Sequence, residues 1–368
     1  MPWCIKKCPY CDFNSYGKPL ELPEADYIQT LCKDLAQDLP RVGNRSLHSI
    51  FFGGGTPSLF SPKSFETLLN HIDAVLPLAP NTEITMEANP GTLEHKSFKD
   101  YHTAGINRIS IGAQSFQNHQ LKTLGRIHSA EDIKKAIVSL KKSGITNFNI
   151  DIMYGLPNQT LEDALHDLQT AIDLTPTHLS WYHLTIEPNT VFHHKPPLLP
   201  NDDKIFDIQE AGFQLLEKNG FLQYEVSAFA QKGFECHHNK QYWEFGDYLG
   251  IGAGAHGKIT DPSQNITRLW KTRYPKSYLE PGGPLIAGEK ILSPTELPFE
   301  FMLNALRLFN GFPIALFQAR TGLTITSIQP LLNKAIEQKL LMIDIRNDRI
   351  MPTPLGNRFL NDLMALFL

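Results

Sequence analysis

Five short β-type runs, at 47–52, 83–86, 108–111, 148–153 and 179–185, alternate with helical patterns along the first half of this 368-residue chain. Ile133, Ile137 and Leu140 recur at helical spacing and stop before Gly144. Leu161, Leu165, Leu168 and Ile172 do the same behind Thr160, a good N-cap. An earlier helix is expected over 23–38, with Pro23 in its first turn. Repeated βα units of this length predict a parallel sheet with helical crossovers. The residues after each strand favour a barrel over a doubly wound sheet. They are Gly53 to Thr56, Glu87 with Asn89, Gln114, Asp151, and Thr185 with Glu187. A turn or a cap explains any one of these singly. A polar or glycine-rich set after all five does not reduce to turns, and barrel sites gather at the carboxyl ends of strands.

Ahead of the first run, Cys4, Cys8 and Cys11 stand within eight positions. Three thiolates so spaced can point at one small centre, and soft thiolates suit zinc or iron–sulfur clusters. A four-iron cluster normally takes one thiolate per iron, so three ligands leave one iron open for a small molecule. A structural zinc needs a fourth Cys or His in a second spaced pair, and Cys32 and Cys236 belong to none. Iron–sulfur therefore ranks ahead of zinc, and free thiols rank third. The run Gly53-Gly54-Gly55-Thr56-Pro57 lets backbone approach a ligand closely, and no phosphate-loop or dinucleotide pattern follows it. Beside an open iron, the expected ligand carries both amino and carboxylate groups. Glu87, Gln114, Arg126 and Asp151 would serve it and a ribose.

A net charge of −4 and a pI near 6.4 leave no electrostatic footprint for nucleic acid. The chain has no long apolar run or signal peptide, and its five cysteines do not read as a disulfide framework. A cytoplasmic protein fits best. A further helix is expected over 202–219 and one more strand over 224–229. Cys236-His237-His238-Asn239 then leads through Tyr242-Trp243 into the glycine-rich run 250–257. Prolines and glycines punctuate 265–294, which places a domain boundary there. The chain thus divides into residues 1–264 and 290–368. Beyond 296 the order is three helices, a hairpin around Asn347-Asp348 and a last helix, a winged-helix-like order. Seven Lys and Arg against six Asp and Glu in 296–368 argue against DNA as its partner.

The cysteine motif followed by Gly53-Gly54-Gly55-Thr56-Pro57 resembles the radical S-adenosylmethionine superfamily. Within it, the stretches 9–15, 87–91, 112–116 and 151–157 resemble the oxygen-independent coproporphyrinogen oxidase-like group. The likeness runs through 353–360. It implies an α/β fold, a partial (β/α)6 radical SAM barrel with a C-terminal mainly helical winged-helix-like domain. It also implies a [4Fe-4S] cluster on Cys4, Cys8 and Cys11, with S-adenosylmethionine (SAM) chelating the fourth iron. By motif, Gly54, Gly55 and Thr56 would meet the methionine end of SAM. Glu87, Gln114, Arg126 and Asp151 would hold the rest, Asp151 at a ribose hydroxyl.

Two branches of the group diverge here. The oxidase, which decarboxylates coproporphyrinogen III, carries a fourth cysteine where this chain has Phe13. The heme chaperone branch has Cys-Asp-Phe, and its heme motif resembles His238-Asn239-x-x-Tyr242-Trp243. The likeness therefore implies a heme chaperone with a heme-accepting protein as partner and transient contact with membrane-associated acceptors. Cys236, His237 and His238 remain rival axial ligands, and His256 is a weaker candidate near SAM. In the group a β-strand ending in an aromatic-Cys sequence precedes the cluster loop. This chain opens at Met1-Pro2-Trp3-Cys4, so the first barrel strand is missing and a strand is expected just upstream in frame.

Overall fold

The computed structural model describes residues 1–92 and 97–368. Its main sheet is built from β1 (Leu47–Phe52), β2 (Leu78–Ala88), β3 (Arg108–Gln114), β4 (Asn147–Tyr154) and β5 (His178–His183), with β6 (Leu222–Glu225) and β7 (Ala228–Ala230). The order across the seven strands is β1-β2-β3-β4-β5-β7-β6. The first five pair in parallel and the last two antiparallel, in a curled half-barrel.

Register explains how one sheet serves two environments. Ile109 lies opposite Phe148 and Ile111 opposite Ile150, all buried in one core with Ile133, Ile137 and Leu140 of the helix Ala130–Lys141. On the alternate face Ser110 lies opposite Asn149 and Gly112 opposite Asp151, turning polar groups into the barrel. A parallel sheet covered by helices buries both faces, so these inward polar groups need partners. Ser110 Oγ and Asn149 Nδ2 both donate to Asp151, at 2.9 and 2.8 Å.

The expected helices form, with local signals intact. Glu24–Asp38 follows Pro23, which sits at the N-cap position. In Leu161–Asp173 the Thr160 hydroxyl accepts from Asp163 N, while the Asp163 carboxylate accepts from Thr160 N. The run 224–229, expected as one strand, is two. The chain reverses at Val226-Ser227, where Ser227 N donates to the Glu225 carboxylate at 3.1 Å. The punctuated stretch also holds structure. Strands His256–Thr260, Ile266–Lys271 and Ile286–Ile291 make an antiparallel sheet, tied to the helix Glu24–Asp38 by the buried Lys271 ammonium between Asp34 and Asp38 at 2.6 and 2.7 Å.

Beyond it, helices Leu297–Ala305, Ile314–Thr321 and Gln329–Glu337 precede a hairpin of Leu341–Asp344 and Arg349–Pro352, to which Phe312–Pro313 adds a third strand. This is the winged-helix order. Its core gathers Phe301, Phe312 and Phe317, with ring centroids 5.0 and 5.2 Å from Phe301.

Candidate functional site

The cysteine loop is held shut at its base. Trp3–Cys4 pairs in parallel with Tyr16–Gly17, Cys11 N donates to Cys8 O at 3.1 Å, and Trp3 packs edge-on against Tyr27 at 4.9 Å. Asn14 ties the loop to a distant part of the chain. Its Nδ2 donates to the carbonyls of Ala253 and Arg273 at 3.0 and 2.9 Å, and its Oδ1 accepts from Tyr16 OH and Arg273 Nε at 3.0 and 3.1 Å. A side-chain amide offers two donors and an acceptor oxygen, and all are used. The glycine-rich run 250–257 is therefore a seat for the cysteine loop. A Cβ on Gly254 would come within 2.2 Å of the Asn14 amide.

The triple glycine serves this loop as well. Gly55 N and Thr56 N donate to the carbonyls of Met1 and Trp3 at 2.7 and 2.8 Å, and a Cβ on Gly55 would lie 2.6 Å from Trp3 O. Close backbone approach is thus required first by residues 1–3.

Cys4, Cys8 and Cys11 line one cavity of about 450 Å³ together with Gly54, Gly55, Thr56, Glu87, Gln114, Arg126 and Asp151. The set reaches it from the carboxyl ends of four strands. Among the described residues no three His, Cys, Asp or Glu side chains close around a single-ion centre. A structural zinc draws its ligands to about 2.3 Å from one point, whereas a cubic cluster takes one thiolate per iron, for which three cysteines on one cavity are enough.

The polar groups suit a charged, multifunctional ligand. Gln114 sits in the left-handed region at φ 66°, where the β3–β4 register shifts between Gly112 and Gln114. Such a bulge re-aims a side chain at a strand end. Its Oε1, like Arg126 Nε, is buried without a hydrogen-bond partner. Buried polar atoms left in that state cost about 1–3 kcal/mol each, and a bound ligand would satisfy them. Burial pushes the Glu87 carboxyl up to about 8, helped by the Asp151 charge and opposed by the Gly54 N–H, which donates to it at 3.2 Å. Burial raises Asp151 too, against its hydrogen bonds from Ser110 and Asn149.

The residues that resemble a heme motif lie elsewhere. His238, Tyr242 and Trp243 sit on the helix His237–Trp243, whose N-terminus reaches the amino ends of the strands, where Glu83 accepts from His237 N and His238 N at 3.1 and 3.2 Å. Glu83 and Glu87 are four positions apart along β2, about 13 Å of strand. His238 and Tyr242 line a second cavity of about 570 Å³ between β1 and residues 249–256, which shares Phe13 and Gly54 with the first. The His238 ring stacks on Phe51 at 4.4 Å and meets Tyr242 edge-on at 4.8 Å. Burial lowers its pKa to about 4, so the imidazole is neutral at pH 7, the form that binds iron.

Trp243 does not offer its face to a ligand in that cavity, because the Arg307 guanidinium covers the ring at 4.4 Å. Cys236 is 1% exposed, its thiol donates to Glu83 at 3.4 Å, and burial pushes it up to about 11. It is a structural thiol. His237 is exposed, and His256 lines the second cavity, away from the cysteines.

Residues 1–171 match the radical SAM superfamily and residues 292–359 the HemN C-terminal domain. The whole chain is 50% identical to the heme chaperone HemW of Haemophilus influenzae and to that of Escherichia coli, covering 96% of each. It is 32% identical to the heme chaperone HemW of Bacillus subtilis, covering 97% of that protein. Among solved structures it resembles coproporphyrinogen III oxidase (HemN) from Escherichia coli, a radical SAM enzyme. The TM-score is 0.82 at 20% identity, over 100% of this chain and 88% of the other. That last likeness speaks to the fold alone.

Proposed function

The chain belongs to the HemW family within the radical SAM superfamily, and from that membership we infer that it is a heme chaperone, which binds heme and passes it to an acceptor protein. The observation that carries this reading is the 50% identity to heme chaperones over the full chain. The site adds physical support. His238 is a neutral imidazole on the wall of a cavity within the usual ligand-site range, and imidazole is a common axial ligand of heme iron. Tyr242 supplies an aromatic neighbour with a polar end. Trp243 acts through Arg307 instead, fixing the helix against the C-terminal domain.

In the first cavity Cys4, Cys8 and Cys11 would hold a [4Fe-4S] cluster. Gly54, Gly55 and Thr56 would receive the methionine end of SAM, with Glu87, Gln114, Arg126 and Asp151 around the remainder. When bound, the cluster supplies one electron to the neighbouring sulfonium. The protein's part is placement. Asp151, fixed by Ser110 and Asn149, presents a carboxylate suited to a ribose hydroxyl. Gln114 and Arg126 bring unsatisfied polar atoms, and Glu87 holds a proton that a cationic ligand would displace. Phe13 is 58% exposed at the mouth, an apolar ring where the oxidase branch carries a thiol. Among the described residues no helix is long and apolar enough to cross a membrane, so contact with a membrane-associated acceptor would be made from the surface.

Anaerobically reconstituted protein titrated with heme should take up one heme per chain. His238→Ala should weaken that binding at least about tenfold, or 1.4 kcal/mol. Failure of the unsubstituted protein to bind heme would overturn the reading.

A further inference from the structure

Each of the three cysteine sulfurs has its own hydrogen-bond partner, and the three differ in kind. Thr56 Oγ1 donates to Cys4 Sγ at 3.4 Å. Arg126 Nη1 donates to Cys8 Sγ at 3.6 Å. Ser15 Oγ lies 3.9 Å from Cys11 Sγ, where either group can donate. A metal-bound thiolate has no proton, so Ser15 becomes the donor once iron is bound. The partners come from three separate segments: the loop after β1, the stretch beyond β3 and the cysteine loop itself.

Arg126 differs from the other two by its charge. Its Nη2 is anchored to the Gly112 carbonyl at 2.8 Å, which aims the other arm at Cys8. No carboxylate pairs with it among the described residues. A buried cation without an anion is costly, so Cys8, a thiolate once iron is bound, would be its counter-charge. Hydrogen bonds to the sulfurs and local charge are among the levers that set cluster potentials. Reduction adds one negative charge, so donors and a cation favour the reduced state more than the oxidised one.

We propose that Arg126, Thr56 and Ser15 form a graded outer set of donors that raises the reduction potential of the [4Fe-4S] cluster, with Arg126 at Cys8 contributing most. Thr56 and Arg126 thereby act on the cluster itself, in addition to any contact with SAM. The couple exchanges one electron, supplied by dithionite in the test, with no bond made or broken. The proposal rests on the reading that these cysteines hold a cluster, which iron and sulfide content of the unsubstituted protein tests separately.

The experiment is an EPR-monitored redox titration of the full chain without SAM and without heme, so failure of heme binding leaves it untouched. Arg126→Met should titrate at a more negative potential than the unsubstituted protein, Thr56→Val should shift the same way by less, and Ser15→Ala least. An unchanged potential in a fully loaded Arg126→Met, or a larger shift in Thr56→Val, overturns the proposal. Should Arg126→Met fail to hold the cluster, Thr56→Val keeps the side-chain volume and decides alone. Its potential must fall, and one equal to the unsubstituted protein refutes the set.

Discussion

Glu87 is an acid rather than a carboxylate at neutral pH, because burial pushes it up to about 8 and the Asp151 charge adds to that. SAM carries a sulfonium and an ammonium group, and a cation beside Glu87 favours its ionised form. Binding at pH 7 should therefore release a proton. Titration calorimetry in two buffers of different ionisation enthalpy should show it, and Glu87→Gln should abolish the buffer dependence. The same residue sets a pH dependence of stability. Its folded pKa lies above the ordinary value of 4.5, so between those two values the folded state holds a proton that the unfolded chain has lost. Stability must fall as pH rises through that window. Urea denaturation across it should give a shallower slope for Glu87→Gln than for the unsubstituted protein.

The heme-motif helix His237–Trp243 has seven residues, well below the roughly 12–15 at which an isolated helix begins to persist. It stands because Glu83 accepts from two of its N-terminal amides and from the Cys236 thiol. Glu83→Ala would leave those donors unpartnered and remove the carboxylate 3.9 Å from the buried Arg108 guanidinium, at a cost of about 3–5 kcal/mol, and heme affinity should fall with stability. Glu83→Gln keeps an acceptor oxygen and should lose less of both. Chemical denaturation together with heme titration checks the pair. None of this was legible in the run 83–86, which reads only as a strand, because the helix it caps lies about 150 residues away. Elements whose signals are local were legible: β1 matches its apolar run end to end, and the Thr160 cap is where its spacing puts it. The hairpin over 222–230 was hidden because its turn, Val226-Ser227, holds no Gly, Pro, Asn or Asp, and side chains of the first strand brace it instead: Gln223 Nε2 donates to Val226 O and the Glu225 carboxylate accepts from Ser227 N. The sheet at 256–291 was hidden because Gly257 and Gly288 lie inside strands that are themselves half polar, with prolines and further glycines in the connections.

Across the whole molecule the first cavity was readable, since ten residues named from motifs line it together. What holds it was not. Asn14 reaches carbonyls 239 and 259 residues away, and no spacing rule connects such positions. Arg307 likewise joins the two cores, covering Trp243 and lying 3.9 Å from Glu225, so the helix His237–Trp243 is wedged between barrel and C-terminal domain. A last consequence concerns Met1. Its N–H donates to Gly53 O at 2.9 Å while its carbonyl accepts from Gly55 N at 2.7 Å, one rung of a parallel ladder on the open edge of β1. The segment that carries the cysteines is thus latched to the loop after β1 by main-chain groups alone, so side-chain substitutions at Gly53 to Gly55 reach the cysteines through backbone geometry.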